Sequence, residues 1–335
     1  MSDKISFIFS GKLTEKHQMD FYEASRFQYA AARLTVKLDR FRRTGRFPKK
    51  VTSLSNTEVN LQAYRDGSFA IDILTPLVAT LGPLVLEVPI TALWSYVIER
   101  VFKPADSEAI QQALASQAEL IAAFREHIAA SETQARDTLN LLSQQIERNQ
   151  ILSDDNRQLQ QRLLGEVERR AYLEGQQSLL RQITAEQDAQ LVTMAAPLLK
   201  ELAVPLRRSA SSATIAISDR HGSRPILTAN KAMADEIELT VVDPTITTLL
   251  INIIQYNKEN GWGKFRNLEF DGLASFSVPA DRKDRLQPRM LAAMNEDEAY
   301  VQAYYVKSIT GEKLRIIIVD FSNIEKAEAG QGQQD

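Results

Sequence analysis

Apolar and polar positions alternate, then recur at helical spacing, and this pattern predicts most of the elements. Ile5, Phe7 and Phe9 alternate as on a half-buried strand, and Gly11 to Gln18 supplies a polar connection. Asp20 is a fair N-cap for a helix whose apolar residues Phe21, Ala24, Phe27, Ala31, Leu34, Leu38 and Phe41 recur at spacings of three and four until Gly45 and Pro48. Val59, Leu61 and Ala63 alternate, Arg65 to Ser68 turn, and Phe69, Ile71 and Ile73 alternate again. A helix on a three-stranded sheet is the simplest closure for this α+β unit, residues 1–74.

The run from Ile73 to Ile98 contains one charged group, Glu87, with Trp94 and Tyr96 near its far end as interfacial aromatics would be. Residues 75–104 therefore form a membrane-capable helical segment. The alternative is a pair of short buried helices broken near Pro76, Gly82, Pro83 and Pro89. Glu87 against bare lipid would be costly, so it is expected to face a pore or a partner subunit.

Ala105 to Ala196 spans 92 residues with no proline and two glycines, Gly165 and Gly175. Ile110, Leu114, Ile121, Phe124, Ile128 and Ala135 follow a loose heptad seam, and a second phase starts at Leu152 with Leu159, Leu163, Leu173 and Leu180. Residues 105–208 are read as a long, coiled-coil-like helical region that associates into a homo-oligomer, a dimer or tetramer; an intramolecular bundle is the alternative.

Strands return after Ser209. Thr214 to Ser218 and Arg224 to Thr228 flank a His221-Gly222 turn, and Asn230 to Ile237 reads as a short helix. Three strands follow (Thr247 to Tyr256, Gly263 to Phe270, Leu273 to Val278), then a helix from Leu286 to Met294, then two strands (Ala299 to Ile309, Lys313 to Phe321). Three strands, a helix and two strands is the order of an OB-like five-stranded β barrel, a fold that often holds single-stranded nucleic acid. Residues 209–325 form this carboxy-terminal β domain, and 326–335 a disordered tail.

Composition changes the picture only locally. With 44% hydrophobic and 25% charged residues and a net charge of -3, the chain is globular and has no global basic field. Zero cysteines exclude disulfides and thiolate chemistry, and three histidines in separate segments point to no metal site. The short stretch from Ile5 to Phe9 is too brief for a signal peptide. From Arg33 to Lys50, however, eight basic side chains meet one acid, Asp39. Arg40, Arg42, Arg43, Arg46, Lys49 and Lys50 are candidates for binding phosphates or acidic headgroups, against the alternative of a solvated helix face. In the barrel, Tyr256, Trp262 and Phe265 with Lys258, Lys264 and Arg266 offer stacking faces beside cations, although a merely well-packed barrel explains the aromatics equally. No P-loop, nucleophile elbow or zinc-protease motif occurs, so neither an enzyme nor a cofactor is expected, with a divergent nuclease as the catalytic alternative.

Thr44-Gly45 at a helix end, the Gly67-Ser68-Phe69 turn, the apolar stretch, the helices, and a barrel with Tyr256-Asn257 and Gly261-Trp262-Gly263-Lys264-Phe265 together resemble a family of bacterial two-domain proteins found near phage-defence genes. The layout looks most like the membrane effectors of the Hailong anti-phage system. That resemblance implies an antiviral defence role at the bacterial inner membrane with cytoplasmic domains, or in the cytoplasm if the apolar segment is buried. It also implies a nucleotidyltransferase partner whose single-stranded DNA oligomer, oligodeoxyadenylate, gates an ion channel. A soluble coiled-coil scaffold that binds single-stranded nucleic acid is the rival reading.

Overall fold

The computed structural model describes residues 3–46, 48, 51, 59–62, 69–75, 85–102, 154–219, 222–270, 272–296, 298–309 and 311–322. The chain divides into two compact units, Met1–Leu239 and Thr240–Asp335. Both are mixed α and β, and the second contains a closed five-stranded barrel.

The first unit is built on β1 (Asp3–Ser10), whose alternating Ile5, Phe7 and Phe9 are buried on one face. α1 (Phe21–Thr44) starts where the Asp20 carboxylate accepts the Tyr22 and Glu23 N–H groups, and stops at Gly45, whose left-handed φ of 66° lets its N–H return to the Phe41 carbonyl. Phe27 packs edge-on against Phe7 and Phe9, at 5.1 and 4.8 Å between ring centres. Phe21, expected on the apolar face, points instead into solvent. It is the first residue of the helix, where no preceding turn holds it against the sheet.

β2 (Asn60–Gln62) and β3 (Phe69–Thr75) complete one side of the sheet, with Ile5 opposite Ile73 and Phe7 opposite Ile71. The other side comes from far along the chain. β4 (Ser212–Asp219) pairs with β1, Ser6 opposite Ala216, and β5 (Gly222–Asn230) pairs with β4, giving the antiparallel order β2-β3-β1-β4-β5. The unit therefore ends at Leu239, after α6 (Lys231–Leu239), rather than near residue 209, and the closure is a five-stranded sheet. Alternation alone shows that these segments are strands; it does not say which strand each one pairs with.

The apolar run from Ile73 to Ile98 is not one helix. Ile73 to Thr75 finish β3, and α2 (Ile90–Val101) follows a non-helical stretch from Val85 to Pro89. All twelve residues of α2 are buried, and at ~1.5 Å per residue the helix is about 18 Å long. That is short of the ~30 Å hydrocarbon core of a bilayer. Residues 76–84, including three of the predicted breakers, lie outside the described residues.

Of the long helical region, the heptad seam from Ile110 to Ala135 also lies outside the described residues. The second phase is α3 (Asp154–Gly175), α4 (Gln177–Leu180) and α5 (Ala185–Leu202). Leu163, Leu173 and Leu180 are buried within the unit, α3 against β5 and α2, and α5 against α1 and α2. The helix breaks twice without proline: after Gly175, and at Thr184, where Thr184 and Gln187 form a reciprocal capping box. Pro197, the residue that follows the proline-free run, sits inside α5. From Ala185 to Leu206 the chain is long and apolar enough to cross a membrane, with 56% of the most apolar window buried.

A chain of buried charges ties α2 to α3 and α5. The Arg100 Nε donates to Asp188 Oδ1 at 2.6 Å, the Tyr96 hydroxyl donates to the same oxygen at 2.7 Å, and the Arg100 guanidinium lies over the Tyr96 ring. Next to it Glu99 accepts from Arg169 at 2.8 Å and faces Arg170. Burial would raise the Glu99 carboxyl, but Arg170 and Arg169 outweigh it and hold it below its ordinary value. Arg169 also donates to the Ile226 carbonyl at 2.8 Å, so α3 covers β5, the outermost strand of the sheet. Gly165 permits that approach: a Cβ there would stand 3.2 Å from the Thr228 nitrogen.

In the second unit, β7 (Thr247–Asn257), β8 (Trp262–Arg266) and β9 (Leu273–Ser277) form a meander. α7 (Ala280–Ala293) follows, then β10 (Ala299–Ser308) and β11 (Lys313–Phe321). β9 runs parallel to β11, and β10 joins β11 to β7, which closes the barrel; β6 (Thr240–Val242) adds to the β10 side. Leu249, Ile251, Phe265, Phe276, Val301, Tyr305, Ile316 and Ile318 fill it, with Leu286 and Met290 of α7. β8 stops at Arg266, short of the predicted Phe270, because Asn267 turns the chain: its Oδ1 accepts the Glu269 N–H and its Nδ2 donates to the Leu250 carbonyl.

Candidate nucleic-acid interface

The outward surface of β8 and β9 follows from the alternation that fills the barrel. Phe265 and Phe276 point in, so Trp262, Lys264 and Arg266 on β8, and Leu273, Ser275 and Ser277 on β9, share the outer side. Register lines them up in rows. Gln255, Lys264, Ser275, Arg315 and Val306 lie across successive strands, and Asn252, Arg266 and Leu273 form the row beside them. Gln255, Arg266 and Leu273 are exposed, and Lys264 and Ser275 are half-buried. Lys258, in the β7–β8 turn, is exposed.

Two glycines build this corner. Gly261, at a φ of 66°, donates to the Asn257 carbonyl and accepts the Val278 N–H, and a Cβ there would come within 2.6 Å of the Val278 oxygen. Gly263 has no room for a side chain, since a Cβ would fall 2.2 Å from the Phe276 ring and 2.3 Å from the Gln255 oxygen. The Phe276 ring takes that space and stacks on Tyr256.

The sequence-predicted cluster is brought together only in part. Lys264 sits 5.5 Å over the Trp262 ring and next to Arg266 along β8. Phe265 belongs to the barrel core, with no exposed surface, and Tyr256 packs half-buried against Phe276. Trp262, the expected stacking platform, is 5% exposed, and its indole N–H has no hydrogen-bond partner among the described residues. A ring with so little open face has none to offer a base.

The basic end of α1 divides in the same way. Asp39, itself buried, binds Arg42 at 2.6 Å and Arg43 at 2.7 Å. Arg42 is almost fully buried, which neither a phosphate platform nor a solvated face would place there. Arg40 is half-buried and Arg46 exposed; Lys49 and Lys50 lie outside the described residues. Partial burial, and then the nearby Arg33 charge, lower the pKa of Lys37. Glu87, expected to face a pore or a partner subunit, is exposed ahead of α2, whereas Trp94 and Tyr96, expected as interfacial aromatics, are buried inside the first unit, Trp94 against Phe7 and Tyr96 on Asp188.

Ser275, half-buried in the row with Lys264, was missed by sequence reasoning, as was Arg315 beside it, which at 6% exposed has as little open surface as Trp262. Arg315 interrupts an apolar strand, which was a visible signal, but its place beside Ser275 depends on the parallel pairing of β9 with β11. At the rim, Glu269 accepts from Lys313 at 2.6 Å and from the Tyr305 hydroxyl. The Lys313 and Tyr305 bonds hold the Glu269 carboxyl below its ordinary value. Among the described residues no three His, Asp or Glu side chains gather as a metal site would need. No protein-family model, curated protein or solved structure matches the chain.

Proposed function

We propose that the second unit is an OB-type barrel and that the chain is a binding protein for a short single-stranded DNA, taken along the outer side of β8 and β9. The strand order supports the OB reading: a three-stranded meander, a helix, two further strands, and the third strand parallel to the fifth. Fold alone assigns no ligand, so the surface chemistry carries the proposal. β7, β8 and β9 contain no carboxylate, and their only charged side chains are Lys264 and Arg266. A phosphate backbone laid across these strands meets cations, amides and hydroxyls, with no anion on the strands to repel it.

Lys264 and Arg266 would hold phosphates, with Lys258 at the turn, while Gln255 and Ser275 donate hydrogen bonds and Leu273 gives a base an apolar contact. The test is titration of the full chain with fluorescent oligodeoxyadenylate. Lys264→Glu with Arg266→Glu is expected to weaken binding about tenfold or more and to flatten the salt dependence by roughly 0.7 in slope per lost phosphate contact. Unchanged affinity and slope in a folded double variant would assign the ligand to another surface.

A further inference from the structure

The solvent side of α1 is a second exposed surface of unusual composition. Phe21 is 86% exposed, Tyr22 65% and Tyr29 64%. Each tyrosine carries a guanidinium one turn on: Arg26 lies 5.5 Å from the Tyr22 ring centre, and Arg33 lies 5.2 Å from that of Tyr29. The turn before α1 belongs to the same patch. Ser209 accepts the Leu13 N–H on its carbonyl and the Asp20 N–H on its hydroxyl, which draws the two segments and the neighbouring Arg208 together. Leu13, Lys16 and Arg208 are exposed there.

The charges of this patch are uneven. Arg26 is taken by Glu201. Lys16, Arg33 and Arg208 form no ion pair among the described residues, while the acids of α1, Glu23 and Asp39, are buried, Glu23 on Ser209 and Asp39 on Arg42 and Arg43. Glu15, beside Lys16, is the exposed acid of the turn, and Glu201 is half-buried on Arg26, so the aromatic rings and an apolar side chain project among cations in excess of acids.

Two polyanions fit cations beside rings, and the geometry favours one. A base-stacking site sets open ring faces in a groove that follows the phosphate backbone. Here each tyrosine ring already has its own arginine against it, and the rings project from an exposed helix. Amphipathic rings with basic side chains reaching past them match the headgroup layer of an anionic bilayer, where rings sit at the interface and guanidinium groups meet phosphates. We propose that this edge of α1 docks on anionic phospholipid, with Phe21, Tyr22 and Tyr29 entering the headgroup layer and Lys16, Arg33 and Arg208 on the phosphates. The proposal is independent of the barrel's ligand, and loss of DNA binding by the barrel leaves it standing.

The full chain would be sedimented with phosphatidylcholine vesicles that either contain or lack phosphatidylglycerol. Binding is expected only with the anionic lipid and should weaken as salt is added. Arg33→Glu with Arg208→Glu should weaken vesicle binding about 25-fold or more, at roughly a factor of five per surface cation removed, and separately Phe21→Ser with Tyr29→Ser should also reduce the bound fraction. Thermal melts check that the variants fold, and the exposed single change Tyr22→Ser substitutes for a double variant that does not. Equal sedimentation with both vesicles, or variants that bind as the parent does, would overturn the proposal. So would variants that keep vesicle binding but lose oligodeoxyadenylate, because the patch would then belong to nucleic acid.

Discussion

Asp188 is the residue on which the interior of the first unit turns, since one carboxylate oxygen receives both the Arg100 Nε and the Tyr96 hydroxyl with no solvent near them. Removing one partner of a fully buried pair takes the nearest counter-charge from the other, which costs more than the pair contributes. Asp188→Ala is expected to destabilise the chain by about 3–5 kcal/mol, read from urea unfolding. Replacing Asp188 and Arg100 together with apolar residues should recover part of that loss. Trp262 illustrates the same scale in the barrel. Its burial turns a residue expected to bind bases into one that supports the fold, and Trp262→Ala should cost about 3–5 kcal/mol of stability through the cavity it leaves. Oligodeoxyadenylate affinity of whatever fraction stays folded should hardly change. Nothing in the order of residues separates these two roles, because Gly261-Trp262-Gly263-Lys264 reads equally as a cation beside a ring and as a tight corner over a core.

At the level of elements, close approach is governed by glycine. Gly263 lies under the Phe276 ring, so Gly263→Ala must push either the ring or β7 aside, and a loss of about 1–3 kcal/mol or more is expected from thermal melts. Gly272→Ala is the useful contrast, since no atom lies within 4 Å of its missing Cβ and only its φ of 81° resists the change. Most strands and both ends of α1 could be read from the sequence because their signals are local: period-two alternation, the Asp20 cap, the Gly45 stop. The breaks after Gly175 and at Thr184 could not be read that way, because a glycine and a threonine inside an otherwise helical composition carry little weight until tertiary packing chooses the turn. For a related reason, composition leaves α2 open between a membrane-capable segment and the alternative of a short buried helix. A helix buried on every side and a helix made for lipid have the same apolar composition, and only its length and the Tyr96–Asp188–Arg100 bonds distinguish it.

On the scale of the whole molecule, the unit boundary at 239/240 makes a prediction that a boundary near 209 would reverse. A fragment of residues 1–239 should keep its sheet and resist proteolysis, because β4 and β5 remain on β1. A fragment of residues 1–208 leaves β1 with one open side and the helices without β5, and should be digested quickly under the same conditions. A stable 1–208 fragment would mean that the β1–β4 pairing is dispensable.

That pairing also sets an order of events during synthesis. β1 leaves the ribosome early and can meet β3 soon after, but the strand that covers its other side is made about two hundred residues later. At ~5–20 residues per second the edge of β1 stays unpaired for about 10–40 s, with Phe7 and Phe9 on one face of the open ribbon. Neighbouring nascent chains on one messenger present the same edge over the same interval, and an unpaired strand edge is a template for another. The rate at which β4 emerges therefore bears on how much of this protein reaches its folded form, even though every contact in the finished sheet is indifferent to it.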